Sequence, residues 1–159
     1  MSILEIVRKQ VSKDTQFLII PADTTKEIPT LPYGTIKITS PYIRSGEGQG
    51  SEYIQDTADK SYHVREERYK QVLSLNIFAE TEEESIEYAK TIHKWFLFFG
   101  RTFLQEQQIV VLKVGDVESR TTFLLESYEY KQGFDVRIRL AEQYRQEIDY
   151  INSVQIPPI

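Results

Sequence analysis

The segment RTTFLLESYEYKQGFDVRIRL, residues 120–140, decides the fold. In its second half, apolar residues occupy the even positions from Phe134 to Leu140 and charged residues the odd positions between them, an alternation typical of a half-buried strand. Its first half is rich in Thr, Phe, Leu and Tyr, and the connection at residues 131–133 ends on a glycine, which tolerates positive φ. We therefore predict a hairpin with its turn at residues 131–133, so that Tyr130 faces Phe134 and Tyr128 faces Val136.

A second alternating stretch, residues 62–79, leads into a helix. Thr81 and Glu84 have the spacing of a capping box, and apolar residues recur every three or four positions up to Phe103. Short strands are expected at residues 17–20, 35–39 and 109–114, and a small helix at residues 2–11. These patterns predict an α+β domain. Its mainly antiparallel sheet would be covered on one face by one long helix, residues 82–103.

Two segments lack the periodicity of a core element. Residues 40–61 contain three glycines at alternate positions and are expected to form a flexible arm or a long inter-strand loop. Residues 147–159 form the expected C-terminal tail, which would dock on the domain or on a partner. Both would belong to a single domain spanning residues 1–159.

The composition excludes several classes of protein. The absence of cysteine excludes a disulfide framework or a thiolate metal site, and the chain has no apolar run long enough to predict a transmembrane helix. A formal net charge of −5 argues against a protein that grips phosphate backbones. The N-terminus lacks the layout of a signal peptide, so we expect a soluble protein made in a cytoplasm.

The sequence contains no recognisable catalytic or metal-binding motif. His63 and His93 are the only histidines, and neither has a partner at triad or metal-ligand spacing, so we expect both to be solvent-facing or incidental. The three acidic residues at 82–84 are interpreted as a helix start. The alternate glycines lack the following Lys-Ser/Thr of a phosphate loop. We therefore expect no catalytic residue, no metal and no cofactor.

Three stretches resemble the tail-terminator or neck-terminator proteins of tailed bacteriophages. They are the strand end SLNIFAE (74–80), the triplet RTT (120–122) and YEYKQGFDV (128–136), and with the intervening helix they cover roughly residues 69–140. These residues determine a fold and carry no catalytic signature.

The resemblance implies a structural virion protein that acts at the tail-neck junction after synthesis in the bacterial host cytoplasm. Such proteins form a homo-oligomeric ring, most often a hexamer, on the last ring of the tail tube. The implied partners are the tail-tube protein and a head-completion or connector protein. DNA would pass through the ring without specific binding, and no membrane is involved.

Five charged residues are candidates for contacts between subunits. Arg137 and Arg139 lie on the charged face of the predicted hairpin, where pairing with Glu126 or Glu129 of the same chain is the alternative. The other three, in the predicted arm and the charged strand start after it, are Arg44, Glu47 and Arg65.

Two other functions stay open from the sequence. The first is another ring component of the neck or baseplate, such as a connector adaptor or a tube-like protein. The second is a cytoplasmic enzyme or ligand-binding module, which a pocket lined by converging polar groups would favour.

Overall fold

The computed structural model describes residues 1–44 and 50–149, which fall into two compact units. The first unit is Met1–Ile43 with Lys70–Leu140, and the second is Arg44–Tyr69 with the chain from Ala141 onward. Strand accounts for 50% and helix for 26% of the structure. In chain order the elements are α1 (Ile3–Thr15), β1 (Ile19–Pro21), β2 (Tyr33–Arg44), β3 (Ser51–Asp56), β4 (Ser61–Ala79), α2 (Glu82–Lys94), a π turn (Trp95–Phe99), α3 (Arg101–Glu106), β5 (Val110–Val114), β6 (Glu118–Ser119), β7 (Thr122–Leu124) and β8 (Ser127–Ile148).

The sheet is mixed. Its main path within the described chain is β1-β2-β4-β8-β5, with β3 added to β4 and both β6 and β7 added to β8. β1 and β2 are parallel, with Ile19 opposite Gly34, whereas β3 with β4 and β5, β6 and β7 with β8 are antiparallel. The long β4 and β8 therefore lie at the centre of the sheet.

The alternating patterns of β4 and β8 specify the core of the first unit, as predicted. The even residues of β8 from Phe134 to Leu140 and the odd residues of β4 from Leu73 to Ala79 are all at most 4% exposed. The N-terminal helix is also confirmed: Ser2 caps α1 by accepting a hydrogen bond from the Glu5 amide, and Val7 and Val11 are buried. The odd residues of β8 therefore lie on the opposite face from the core.

The single long helix expected at residues 82–103 is not present. Thr81 caps the start of α2 as predicted, but the helix widens into the π turn, which is followed at Gly100 by the short α3. Trp95 and Phe96 are both buried, whereas Phe99 is 70% exposed although the apolar period placed it inside. The reason is the π turn, which has more residues per turn than an α-helix and so changes the direction of the side chains that follow it. Two adjacent aromatic rings therefore face the core.

The predicted turn of the hairpin is wrong. The chain reverses at Leu125 and Glu126, so β7 pairs only with the start of β8 and Phe123 lies opposite Tyr128. Residues 131–133 continue β8, and Gly133 pairs with Glu118 of β6. Gly133 is therefore a strand residue and not part of a turn.

The expected arm at residues 40–61 is wrong for most of its length. Residues up to Arg44 extend β2, and β3 and the start of β4 form a hairpin in the second unit, with Ser51 opposite Glu66 and Asp56 opposite Ser61. Backbone pairing stabilises this charged segment, which has little apolar surface to bury. Residues 45–49 lie outside the described chain. Of the predicted tail, residues 147 and 148 end β8 and residues 150–159 also lie outside the described chain.

Candidate functional site

Arg120 organises the face of the first unit that lies opposite the core. It follows β6, and its guanidinium donates from Nη1 to Ser74 Oγ at 2.9 Å and Asn76 Oδ1 at 3.0 Å, both on β4. Nη2 donates to Glu118 Oε1 at 3.0 Å and to Asp135 Oδ1 at 3.2 Å, and Nε donates to the same Glu118 oxygen at 3.2 Å. The side chain is 23% exposed. One arginine therefore joins three segments of chain.

Gly133 leaves room for this arginine. A Cβ atom at residue 133 would lie 2.6 Å from Arg120 Nη1, 2.6 Å from Asn76 Oδ1 and 2.7 Å from the Leu75 carbonyl oxygen. Real Cβ atoms do not approach polar atoms so closely, so a side chain here would displace the guanidinium or the strand. Close approach is a common reason for glycine within a strand.

The contacts of Arg120 bring together residues from three stretches of the sequence, SLN (74–76), RTT (120–122) and GFD (133–135). Ser74, Asn76, Arg120, Gly133 and Asp135 all meet at one guanidinium. Arginine has five N–H donors, and each of them has an acceptor here or shares one, so no donor is left for a ligand. The cluster therefore holds the strands together and is not a binding site. The sequence pattern does not predict this contact, because Arg120 lies 44 or more residues from its partners on β4.

A second charged cluster lies in the second unit and includes two of the candidate interface residues. Arg65 donates to Glu52 at 2.5 Å and to Glu67 at 2.6 Å, and Arg44 lies 3.7 Å from the same Glu67 carboxylate. Tyr144 of β8 also donates to Glu67, at 3.2 Å. The structure thus brings Arg44 and Arg65 together with Glu52, Glu67 and Tyr144 in one group of side chains, the Arg65 cluster. Glu47, the third candidate of this group, lies outside the described chain.

The hydrogen bonds of the Arg65 cluster shift the titration of its members. Those from Arg65 lower the pKa of Glu52 and of Glu67, and they raise the pKa of Arg65 itself. Desolvation, with the neighbouring Glu67 carboxylate, raises the pKa of the Tyr144 hydroxyl. The carboxylates and Arg65 therefore stay ionised at neutral pH, and their charges largely cancel.

Arg137 and Arg139 behave differently. They lie on the face opposite the core, as predicted, but neither makes an ion pair or side-chain hydrogen bond within residues 1–44 and 50–149, so the alternative of pairing with Glu126 or Glu129 is wrong. The hairpin register it required does not form, and Glu129 instead lies 3.6 Å from Lys131. Lys113 of β5 lies directly opposite Arg137 and adds a third cation to this face.

Neither histidine forms part of a catalytic arrangement. His63 is about half exposed and lies 3.2 Å from a Glu52 oxygen. His93, expected to be solvent-facing or incidental, is partly buried: its Nε2 lies 2.8 Å from the Gly115 carbonyl oxygen and its ring packs edge-on against Phe134. In the part of the chain that the structure describes, no three His, Cys, Asp or Glu side chains are grouped to hold a metal ion. No helix within these same residues is long and apolar enough to cross a membrane.

A family model described as phage neck terminator protein matches residues 1–159. No curated protein matches the chain.

Proposed function

The chain belongs to the phage neck terminator protein family over its whole length, and from this premise we propose that it forms a ring that ends growth of the tail tube. The family is one of structural tail components of the virion neck and is not a known enzyme family. The observation that carries the proposal is the match over residues 1–159, which includes both compact units.

The ring would be a homo-oligomer, most often a hexamer, assembled after synthesis in the host cytoplasm. One side of it would fit the tail-tube protein, and the other would fit a head-completion or connector protein. Tube growth would stop because the second side cannot accept a further tube ring, which is a specificity built from mismatch as much as from attraction.

Charge supports passage of DNA without specific binding. The formal net charge is −5, and a ring with few phosphate contacts would not retard the duplex. In the Arg65 cluster, which holds the candidates Arg44 and Arg65, cations and carboxylates are paired at 2.5 to 3.7 Å. Arg137 and Arg139 have no ion-pair partner in the described part of the chain and are the better candidates for a contact between subunits.

The mass of the purified protein tests the ring. Native mass spectrometry is expected to give a closed oligomer, and six copies of the 18.7 kDa chain would weigh about 112 kDa. Added to polymerising tail-tube protein, the chain is expected to shorten the tubes and to be found at one tube end in particle images. A single-chain mass at all concentrations, together with tubes of unchanged length, would contradict the proposal. Rings that leave tube length unchanged would favour another ring of the neck or baseplate.

A further inference from the structure

Three cations form a strip on the β5–β8 side of the first unit. Lys113 lies directly opposite Arg137, and Arg139 lies opposite Val110 on the same face. This strip, Lys113 with Arg137 and Arg139, has no carboxylate partner among residues 1–44 and 50–149. Like charges directly opposite each other in a sheet are destabilising, so the arrangement opposes folding of the isolated subunit.

The nearest acid on the same strand face is already engaged. Asp135 lies two residues before Arg137, but its carboxylate accepts from Arg120 at 3.2 Å. Arg120 is bonded in turn to β4, so Asp135 would lose its hydrogen bond to this fixed guanidinium if it turned towards the strip. The strip therefore has no ion-pair partner among the described residues of its own subunit.

The same unit carries the opposite charge elsewhere. Glu80 and Glu82 to Glu84, at the end of β4 and the start of α2, are all exposed, and none of them is paired with a cation in the described chain. Lys131 lies over the Phe78 ring at 5.5 Å, which places the end of β4 beside residue 131 of β8. Arg137 lies six residues farther along β8, roughly 20 Å away at about 3.3 Å per residue. The acidic start of α2 therefore cannot neutralise the strip of its own subunit.

We propose that the basic strip of one copy docks on the acidic residues 80–84 of a second copy. Two different patches of one chain then meet head to tail, a contact that closes into a ring if the rotation permits. This inference rests on the proposed ring and names the surfaces that join neighbouring subunits. It also explains the like charges of the strip, which are unfavourable in the isolated subunit and would be neutralised by the exposed acids of a neighbour.

Charge reversal of each patch gives a test in which rescue is possible. One variant carries Arg137→Glu with Arg139→Glu, and the other carries Glu82→Lys with Glu83→Lys. Each alone presents two like-charged patches and is expected to raise the dissociation constant for assembly about a hundredfold or more. An equimolar mixture is expected to assemble, because alternating subunits restore opposite charges at every contact. Native mass spectrometry and sedimentation measure all three samples.

Controls separate the contact from folding and from net charge. Lys9→Glu with Arg101→Glu changes the net charge by the same amount as Arg137→Glu with Arg139→Glu, at exposed positions outside both patches, and is expected to assemble like the unmodified protein. Fluorescence of the buried Trp95 checks that each variant folds. As a second measurement, raising salt from about 0.1 M to about 1 M shortens the screening length from about 10 to about 3 Å and should weaken assembly of the unmodified protein.

Each outcome supports or contradicts the proposed contact between subunits. Loss in both single samples with recovery in the mixture supports the contact. Normal assembly of the Arg137→Glu, Arg139→Glu variant, or no recovery from folded variants, overturns the contact and leaves the ring standing. An unmodified protein that never assembles overturns both. If the arginine variant assembles but loses binding to a labelled mixed-sequence DNA duplex that the unmodified protein holds, the strip faces nucleic acid and the contact is again overturned.

Discussion

Gly133 is the position where a single methyl group should be most informative. In Gly133→Ala the new Cβ atom would lie 2.6 Å from both Arg120 Nη1 and Asn76 Oδ1 and 2.7 Å from the Leu75 backbone oxygen. If the strand moves to accommodate it, overpacking costs about 1–3 kcal/mol. If the guanidinium moves instead, hydrogen bonds of a charged group are lost, at about 1.5–3 kcal/mol. Both responses predict a loss of about 2 kcal/mol in the free energy of unfolding.

Equilibrium urea unfolding followed by Trp95 fluorescence measures this loss, because that residue is the only tryptophan and is 1% exposed. In thermal unfolding the same loss should lower the midpoint by about 4–8 °C for a chain of this size. The cost should be smaller in an Arg120→Ala background, where one of the three close atoms is absent, and the coupling energy is expected to be about 0.5–3 kcal/mol.

Gly133→Asn separates this explanation from a turn glycine. Asparagine tolerates positive φ, so a glycine required by a turn would accept Asn at least as well as Ala. In the space beside Arg120 the larger Asn side chain should be worse than Ala. Equal or better stability of Gly133→Asn, or a cost of Gly133→Ala that is unchanged by Arg120→Ala, would refute the reasoning.

Two further predictions concern the core and the Arg65 cluster. Phe134→Ala should cost about 3–5 kcal/mol in urea unfolding, because the ring is fully buried against Phe96 and His93, whereas Tyr128→Ala on the exposed part of the same strand should cost about 0.5 kcal/mol or less; equal losses would contradict this assignment of the core. The hairpin of β3 and β4 should lose protection from amide exchange as pH falls below the ordinary carboxyl pKa of 4.5, since Arg65 lowers the folded-state pKa of its two carboxylates and their stabilisation is lost on protonation. Arg65→Met should show a smaller change over that range, and an identical pH profile would contradict the role of the arginine.

The strands and the face of β8 could be predicted because period 2 is a local property. The even residues from Phe134 to Leu140 are buried, and Arg137 and Arg139 lie on the opposite face, as the alternation indicated. The turn could not be predicted, because Gly133 between two strand-like runs has the same local appearance whether it permits a turn or makes room for Arg120. Only contacts across 44 or more residues distinguish the two.

The predictions of one long helix and of a flexible arm were wrong for related reasons. A period of 3.6 assumes constant geometry, and nothing local in WFLFF announces the wider turn that buries Trp95 and Phe96 together. The hairpin of β3 and β4 is polar, so apolar periodicity had nothing to detect. The candidate interface residues Arg44 and Arg65 both pair with Glu67. This pairing depends on strand register, which cannot be deduced from the charges in the sequence.

Gly133 also restricts the register in which β4 and β8 can pair. A slip of one residue between them would exchange the faces of every side chain and is opposed by the loss of the core. A slip of two residues keeps the faces and is therefore not opposed by the apolar pattern, but it would bring Lys131 or Asp135 to the place of Gly133. Either residue carries a Cβ where only hydrogen fits, and Lys131 would also set its charge near the guanidinium. Misaligned pairings are thus penalised at one point along a strand of 22 residues, and the correct alignment is selected by the absence of a side chain.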